Sequence, residues 1–266
     1  MLHGTVISLH PKIGFSLLHR YYSNNFNTIK GQGFGEGYQT NNEKGLYSGL
    51  SIKLNSALNL SGYYDLFTFP WLKYQVNGPS SGSEYVIQLN YKPSKTIEIY
   101  SRYKSKHKEE NASGDVPVYY VSEKKQENYR LNTILKTSET ITLRNRIEFT
   151  TLSQGKGILC YQDILFHPLK FPLSLAFRYA IFDTDNYDAR IYAYENDVLY
   201  SFSIPAYYYK GQRSYITLHY KLNKNFDFWL RYATTTYENR KTVGSGNDEI
   251  SGNQKTDVTF QLRCSF

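Results

Sequence analysis

No stretch of the sequence approaches the roughly twenty consecutive apolar residues that a membrane-spanning helix requires, and the mean hydropathy is -0.55. A helical membrane protein is thereby excluded. A β-barrel is not, because barrel strands alternate lipid-facing and interior residues and so average out polar. Cysteine is equally scarce: Cys160 and Cys264 are far apart in the 266 residues and form no CxxC pair. That spacing indicates neither a disulfide nor a metal site, and both read as small apolar side chains. The opening residues, Met1 to His10, lack the basic stretch followed by an apolar one that marks a signal peptide. Either the protein is not exported, or this chain is the downstream part of a longer one. The net charge of +8 would suit a polyanion, yet the basic residues are spread along the chain. No basic stripe with interleaved stacking aromatics occurs, which argues against a nucleic-acid surface in this segment.

Tyrosine is abundant instead, with 27 residues against 15 phenylalanines. Its apolar ring and polar tip suit a membrane–water boundary. From Thr256 to Phe266 the chain alternates polar and apolar and stops on an aromatic. This reads as the closing strand of an outer-membrane barrel, with Phe260, Leu262 and Phe266 as the residues that carry membrane assembly. Val258 and Cys264 would share their lipid-facing side, while Asp257, Thr259, Gln261, Arg263 and Ser265 face the lumen. The same period of two runs through Tyr85, Ile87, Leu89 and Tyr91, set against Glu84, Gln88, Asn90 and Lys92. It recurs in Leu173, Leu175, Phe177, Tyr179 and Ile181, set against Ser174, Ala176, Arg178 and Ala180.

The connections between these strands are of two kinds. Pro11-Lys12, Asn55 to Ala57, Pro93 to Lys95, Thr137 to Glu139, Pro168 to Phe171 and Asn223 to Asn225 are short and built of turn-forming residues. The others, Asn24 to Gly45, Thr68 to Gly82, His107 to Lys124 and Glu238 to Lys255, are long and rich in Gly, Asn, Ser and charge. Short turns at one end and long loops at the other are the asymmetry of outer-membrane barrels. The expected fold is all-β: one antiparallel transmembrane-type β-barrel of about 14–16 strands occupying residues 1–266 as a single domain. Ala189 to Tyr209 fits the strand pattern poorly and could fold inside the lumen. About fifteen strands are counted, and single-chain bacterial barrels prefer an even number, so the expectation is that the first strand or strands precede Met1.

Several segments carry a resemblance. Phe34-Gly35-Glu36-Gly37, Phe69-Pro70-Trp71, Pro79 to Gly82, the run from Asp183 to Tyr200, and Gly244 to Ile250 resemble the C-terminal β-barrel-like region of Bacteroidota helix-hairpin-helix domain-containing proteins. In that family an N-terminal module similar to competence-type DNA-binding domains precedes the barrel-like part. No Gly-rich hairpin between short helices is present here, so DNA is implied as a partner only through an upstream module.

Twelve charged residues fall at lumen-facing positions: Arg20, Lys53, Asp65, Glu84, Glu98, Arg102, Arg144, Arg146, Glu148, Arg178, Arg231 and Arg263. They would either line a selective pore or pair into a network that closes one. Asp183, Asp185 and Asp188, with Asn186, offer oxygen ligands of the kind calcium takes, without the central Gly and distal Glu of an EF-hand. The plainer reading is a loop whose side chains bond its own backbone. Phe69, Pro70 and Trp71 would anchor at the outer interface or lid the mouth. Tyr119, Tyr120 and Tyr207 to Tyr209 would pack in an aromatic girdle or stack on sugars or bases. For catalysis, His219 faces the lumen side and Ser174 shares that side on another strand, but no motif ties a nucleophile, a base and an orienting acid together, so no enzyme and no cofactor is expected.

The functional expectation is a protein of the Gram-negative outer membrane, a pore, anchor or assembly component. Its partners would be outer-membrane lipid and other envelope proteins. Two alternatives stand beside it: a membrane platform for the upstream DNA module, and a soluble secreted β-sandwich that binds glycan.

Overall fold

The structure, a computed structural model, describes the chain apart from residues 29, 30, 32, 113–119, 239 and 266. It is all-β. The first nine strands are β1 (Leu2–His10), β2 (Ile13–Tyr22), β3 (Glu43–Lys53), β4 (Leu58–Phe69), β5 (Ser80–Tyr91), β6 (Ile97–Asn111), β7 (Val121–Lys136), β8 (Ile141–Leu152) and β9 (Gly155–Phe166). After them come β10 (Leu173–Thr184), the short β11 (Ile191–Tyr192) and β12 (Ala206–Tyr207), β13 (Lys210–Lys221), β14 (Phe226–Tyr237), the short β15 (Thr242–Val243) and β16 (Ile250–Ser251), and β17 (Gln254–Cys264).

Thirteen of these strands form one sheet, in the order β1 to β10, then β13, β14 and β17. From β1 to β5, from β8 to β10, and on through β13, β14 and β17, neighbouring strands pair antiparallel. The count falls below the expected fourteen to sixteen because residues 185–209 contribute only β11 and β12, which pair with each other outside the large sheet. β1 and β17 are its edges, each paired with a single neighbour among the described residues.

Side chains in the connections explain where strands turn. Asn55 Oδ1 accepts from the backbone N–H groups of Ala57 (2.8 Å) and Leu58 (2.9 Å), and Asn223 Oδ1 does the same for Asn225 and Phe226. Ser94 and Ser138 accept equivalent bonds through their hydroxyls. All six short connections fall where the residue types place them. Of the segment His107 to Lys124, expected as a loop, nine of the eighteen residues are strand: β6 runs on to Asn111 and β7 starts at Val121. Its Lys and Glu residues pair across the hairpin, Lys124 Nζ with Glu110 at 3.0 Å and His107 Nδ1 with Glu123 at 2.7 Å. Cross-strand ion pairs there replace the apolar alternation by which a strand is recognised.

The chain divides into two compact units, residues 1–91 with 101–129 and residues 92–100 with 130–266. In each, one sheet face is apolar and exposed. In the first it presents Leu46, Leu50, Leu66 and Ile87; in the second, Phe177, Ile181, Leu230 and Phe260. Phe260 is 64% exposed, whereas Arg20 and Arg178 on the other face are at 0% and 2%. A small apolar core in the second unit lies where loops meet the sheet: Leu159, Phe182, Ile191, Tyr207 and Val243 are all buried.

Leu230 lies opposite Phe260 in mid-strand, and Ser51 opposite Ser61 on the other face of the first unit. Leu230→Arg is expected to destabilise the protein folded into phosphatidylcholine vesicles by about 2–4 kcal/mol, the cost of a cation near the bilayer midplane. Ser51→Arg should cost far less. Urea titrations followed by tyrosine fluorescence measure both, and equal losses would disprove that the apolar face meets lipid.

Candidate functional site

Strand alternation puts Arg20, Lys53, Asp65 and Glu84 on one face of the first unit, because residues paired across strands share a face. Arg20 on β2 reaches across β3. Its Nε donates to Glu43 Oε1 (2.6 Å), and its Nη1 and Nη2 donate to the two carboxylate oxygens of Asp65 on β4 (2.7 and 3.0 Å). The guanidinium crosses β3 at Gly45, where a Cβ would lie 2.3 Å from Arg20 Cζ. A side chain there would expel the arginine from its pair.

The loop after β2 then closes over this ion pair. The backbone N–H groups of Glu36 and Gly37 donate to the Glu43 carboxylate at 3.0 Å, and Tyr22 Oη donates to the Phe34 carbonyl at 3.0 Å. The Phe34 ring lies 5.4 Å from Arg20 Cζ. Glu36 in turn pairs with Lys106, which also holds Glu84 at 3.2 Å, while Lys104 bonds Glu84 at 2.9 Å. Asn42 clamps the next loop: its Nδ2 donates to the Trp71 carbonyl (2.8 Å) and its Oδ1 accepts from the Trp71 N–H (2.9 Å). Phe69 is buried beneath Lys73, whereas the Trp71 side chain projects outward at 61% exposed. Toward the short-turn end the same face is lined by Gly14, Ser16, Gly49 and Ser51, leaving a cavity of about 470 Å³ bordered by Arg102 and Lys104.

In the second unit, Arg178 on β10 donates to both carboxylate oxygens of Asp163 on β9 (2.5 and 2.7 Å) and lies 3.6 Å from the Tyr161 ring centre. Arg130 grips Glu148 with two bonds of 2.7 Å, and Arg146 approaches the same carboxylate at 3.8 Å. Arg263 Nη2 donates to Asp227 at 2.5 Å, and Asp227 also meets His219 Nε2 at 3.0 Å.

The residue that organises this face comes from outside the sheet. Residues 185–209 fold back over it and bury Glu195 completely. Arg213 Nε and Nη2 donate to its carboxylate at 2.8 and 2.9 Å, Tyr207 Oη donates at 2.6 Å, and Arg231 Nη2 completes the set. The next residue is held as firmly: the Asn196 N–H donates to Tyr215 Oη (3.1 Å), and its carbonyl accepts from Thr217 (3.1 Å) and Arg231 (3.3 Å). Burial pushes the Glu195 carboxyl up, but Arg213, then Tyr207 and Arg231, hold it below the ordinary carboxylate range. Gly157 lets the loop approach, since a Cβ would lie 2.5 Å from the Ala189 carbonyl oxygen.

Of the twelve charges expected on this face, Arg20, Asp65, Glu84, Arg146, Glu148, Arg178, Arg231 and Arg263 enter these ion pairs. Glu98 pairs with Lys92 at 3.2 Å, both well exposed. Lys53 is exposed at a strand end, and Arg144 Nε is buried without a hydrogen-bond partner among the described residues. Glu43, Asp163, Arg213 and Asp227 were missed, although the same alternation places them. Glu195 has no periodic signal at all.

Asp183, Asp185 and Asp188 do not converge. Asp185 accepts from the Lys156 N–H (2.9 Å), Asp188 lies 3.7 Å from Arg190, and Asn186 bonds the backbone at Gln154 and Ala189. No group of three or more metal-ligating side chains occurs among the described residues. Ser174 and His219 lie directly opposite one another on β10 and β13, but Ser174 bonds His167 Nδ1 (2.8 Å) while His219 stacks flat on Trp229 and meets Asp227. Tyr119 and Phe266 lie outside the described residues. Phe260 and Leu262 stand on the exposed apolar face, together with Cys264.

No protein-family model matches the chain, and no curated protein matches it. Among solved structures the copper transporter OprC aligns with a TM-score of 0.50 and 10% identity, over 94% of this chain and 47% of its own. The chain thus spans about half that transporter's length. CdiB from Acinetobacter baumannii aligns with a TM-score of 0.46 and 11% identity, over 96% of this chain and 50% of its own. A KdgM porin aligns at 0.30 and 12% identity, over 85% and 94%. At such identities the likeness is one of fold, and the architecture is that of outer-membrane β-barrels.

Proposed function

We propose that the chain is the membrane-embedded part of a Gram-negative outer-membrane protein and works as a channel held shut at rest by its own inward-folded loop. The carrying observation is the inversion of its surface. Large apolar side chains cover one sheet face in the open, while arginines and carboxylates on the other are buried. A protein surrounded by water places them the other way round; lipid outside and a polar interior account for both. The membrane reading is tested by heat-modifiability: protein from outer-membrane fractions should migrate faster on gels before boiling than after. Its complete recovery in buffer without detergent would reject it.

The shut state rests on Glu195. An open, non-selective pore would leave its interior arginines in water, whereas Arg213 and Arg231 here are committed to a buried loop carboxylate. Breaking such a pair leaves two buried cations uncompensated, at a cost of roughly 3–5 kcal/mol. Glu195→Ala is therefore expected to raise single-channel conductance in planar bilayers and to add an inward anion preference from the released arginines. Unchanged conductance would reject the plug. DNA contact stays a proposal for an upstream module alone.

The same residue sets a pH dependence. A carboxyl depressed on folding stabilises the folded state above its unfolded value of about 4.3 and loses that contribution as pH falls through the lower folded value. Acidification from neutral down through that lowered range should thus open the wild-type channel. The Glu195→Ala variant should be insensitive over that window, as measured by conductance in titrated bilayers.

A further inference from the structure

At the long-loop end of the second unit a cleft of about 410 Å³ opens between the turn after β14 and the segment leading into β13. That size lies within the ~300–1,000 Å³ of small-molecule sites. Tyr187, Tyr208, Tyr209 and Tyr237 form its aromatic wall, and Arg240, Thr242 and Ser245 face them. Tyr208 meets Tyr187 and Tyr209 edge to face, each with ring centres 5.1 Å apart, and lies tilted at 36° against Tyr237 at 5.3 Å.

Two features separate this cleft from ordinary girdle packing. The first is backbone conformation. Tyr209 has φ 60°, a region that bulky L-residues rarely adopt, and two bonds to Thr184 hold it there: Tyr209 N–H to Thr184 Oγ1 (2.6 Å) and Thr184 N–H to the Tyr209 carbonyl (2.8 Å). Strained residues of this kind persist where the surroundings over-determine them, and they cluster at binding sites. The second is charge. The Arg240 guanidinium lies 3.5 Å from the Tyr209 ring centre, and among the described residues it makes no ion pair with a carboxylate. Arg178, Arg213 and Arg231, deeper on the sheet, are neutralised by carboxylates, unlike Arg240 among the described residues.

We propose that this cleft binds an acidic saccharide. The apolar C–H face of a sugar ring packs on tyrosine, whose hydroxyls, with those of Thr242 and Ser245, match a polyhydroxylated ligand. The guanidinium supplies a fork for a carboxylate. A single-stranded nucleic acid needs a basic groove that tracks many phosphates, and one arginine at the cleft does not make one. The cleft takes Tyr187, Tyr208 and Tyr209 from the segment that carries Glu195, whereas Arg240, Thr242 and Ser245 lie outside that segment.

The test is calorimetric titration of the detergent-solubilised full chain with a hyaluronan tetrasaccharide, with neutral cellotetraose and with a short oligothymidylate. The acidic tetrasaccharide should bind about tenfold or more tightly than cellotetraose. Arg240→Gln should remove that preference, Tyr208→Ala should weaken both sugars, and Tyr208→Phe should retain binding. Heat-modifiability and conductance should be unchanged in the Arg240 variant, which separates failure of this site from failure of the membrane reading. Equal binding of the two sugars, binding of neither, or tightest binding of the oligothymidylate would overturn the proposal.

Discussion

A charged side chain on a sheet face that is covered by protein must meet an opposite charge there, and the rest of this molecule is arranged around that requirement. Removing an arginine from water costs several kcal/mol even after relaxation, and only good geometry with full hydrogen bonding returns it. Arg20 satisfies it by spanning three strands, from β2 over Gly45 to Asp65 on β4, with Glu43 alongside. In the second unit Arg213 and Arg231 satisfy it by capturing Glu195 from a loop. The pairing therefore does more than connect strands: it recruits the loops that cover the face.

The same requirement protects register. A one-residue slip of a strand would exchange its faces. Arg178 would then point to the apolar side near Ile164 and Ile216 of the neighbouring strands, while Phe177 and Ile181 would enter a region of carboxylates and tyrosines. Pairs such as Arg178–Asp163 and Arg130–Glu148 join adjacent strands directly, so each fixes the alignment of two neighbours. Small residues complete the arrangement where backbone or guanidinium passes close, at Gly45 and Gly157.

Much of this was legible in the residues. The face assignment of Arg20, Asp65, Glu84, Arg178 and Arg263 followed from a period of two, which holds because successive side chains of a strand point to opposite sides. Turn positions followed from Asn55, Ser94, Ser138 and Asn223, whose side chains bond nearby backbone in the way that ends a strand. The long β6–β7 hairpin was obscured because its outer half is stabilised by Lys–Glu pairs, and a run of alternating charge looks like a solvated loop when its partner is unknown.

Sequence alone therefore determined the all-β class, the two-faced strands, the turn end and the loop end, since these depend on neighbours within a few residues. It could not determine which arginine meets which carboxylate, nor that Glu195 is buried between Arg213 and Arg231. Those contacts join positions 18 and 36 residues apart through a segment without periodicity. Only the folded chain, by laying residues 185–209 back onto the sheet, brings the acid and the two bases within hydrogen-bonding distance.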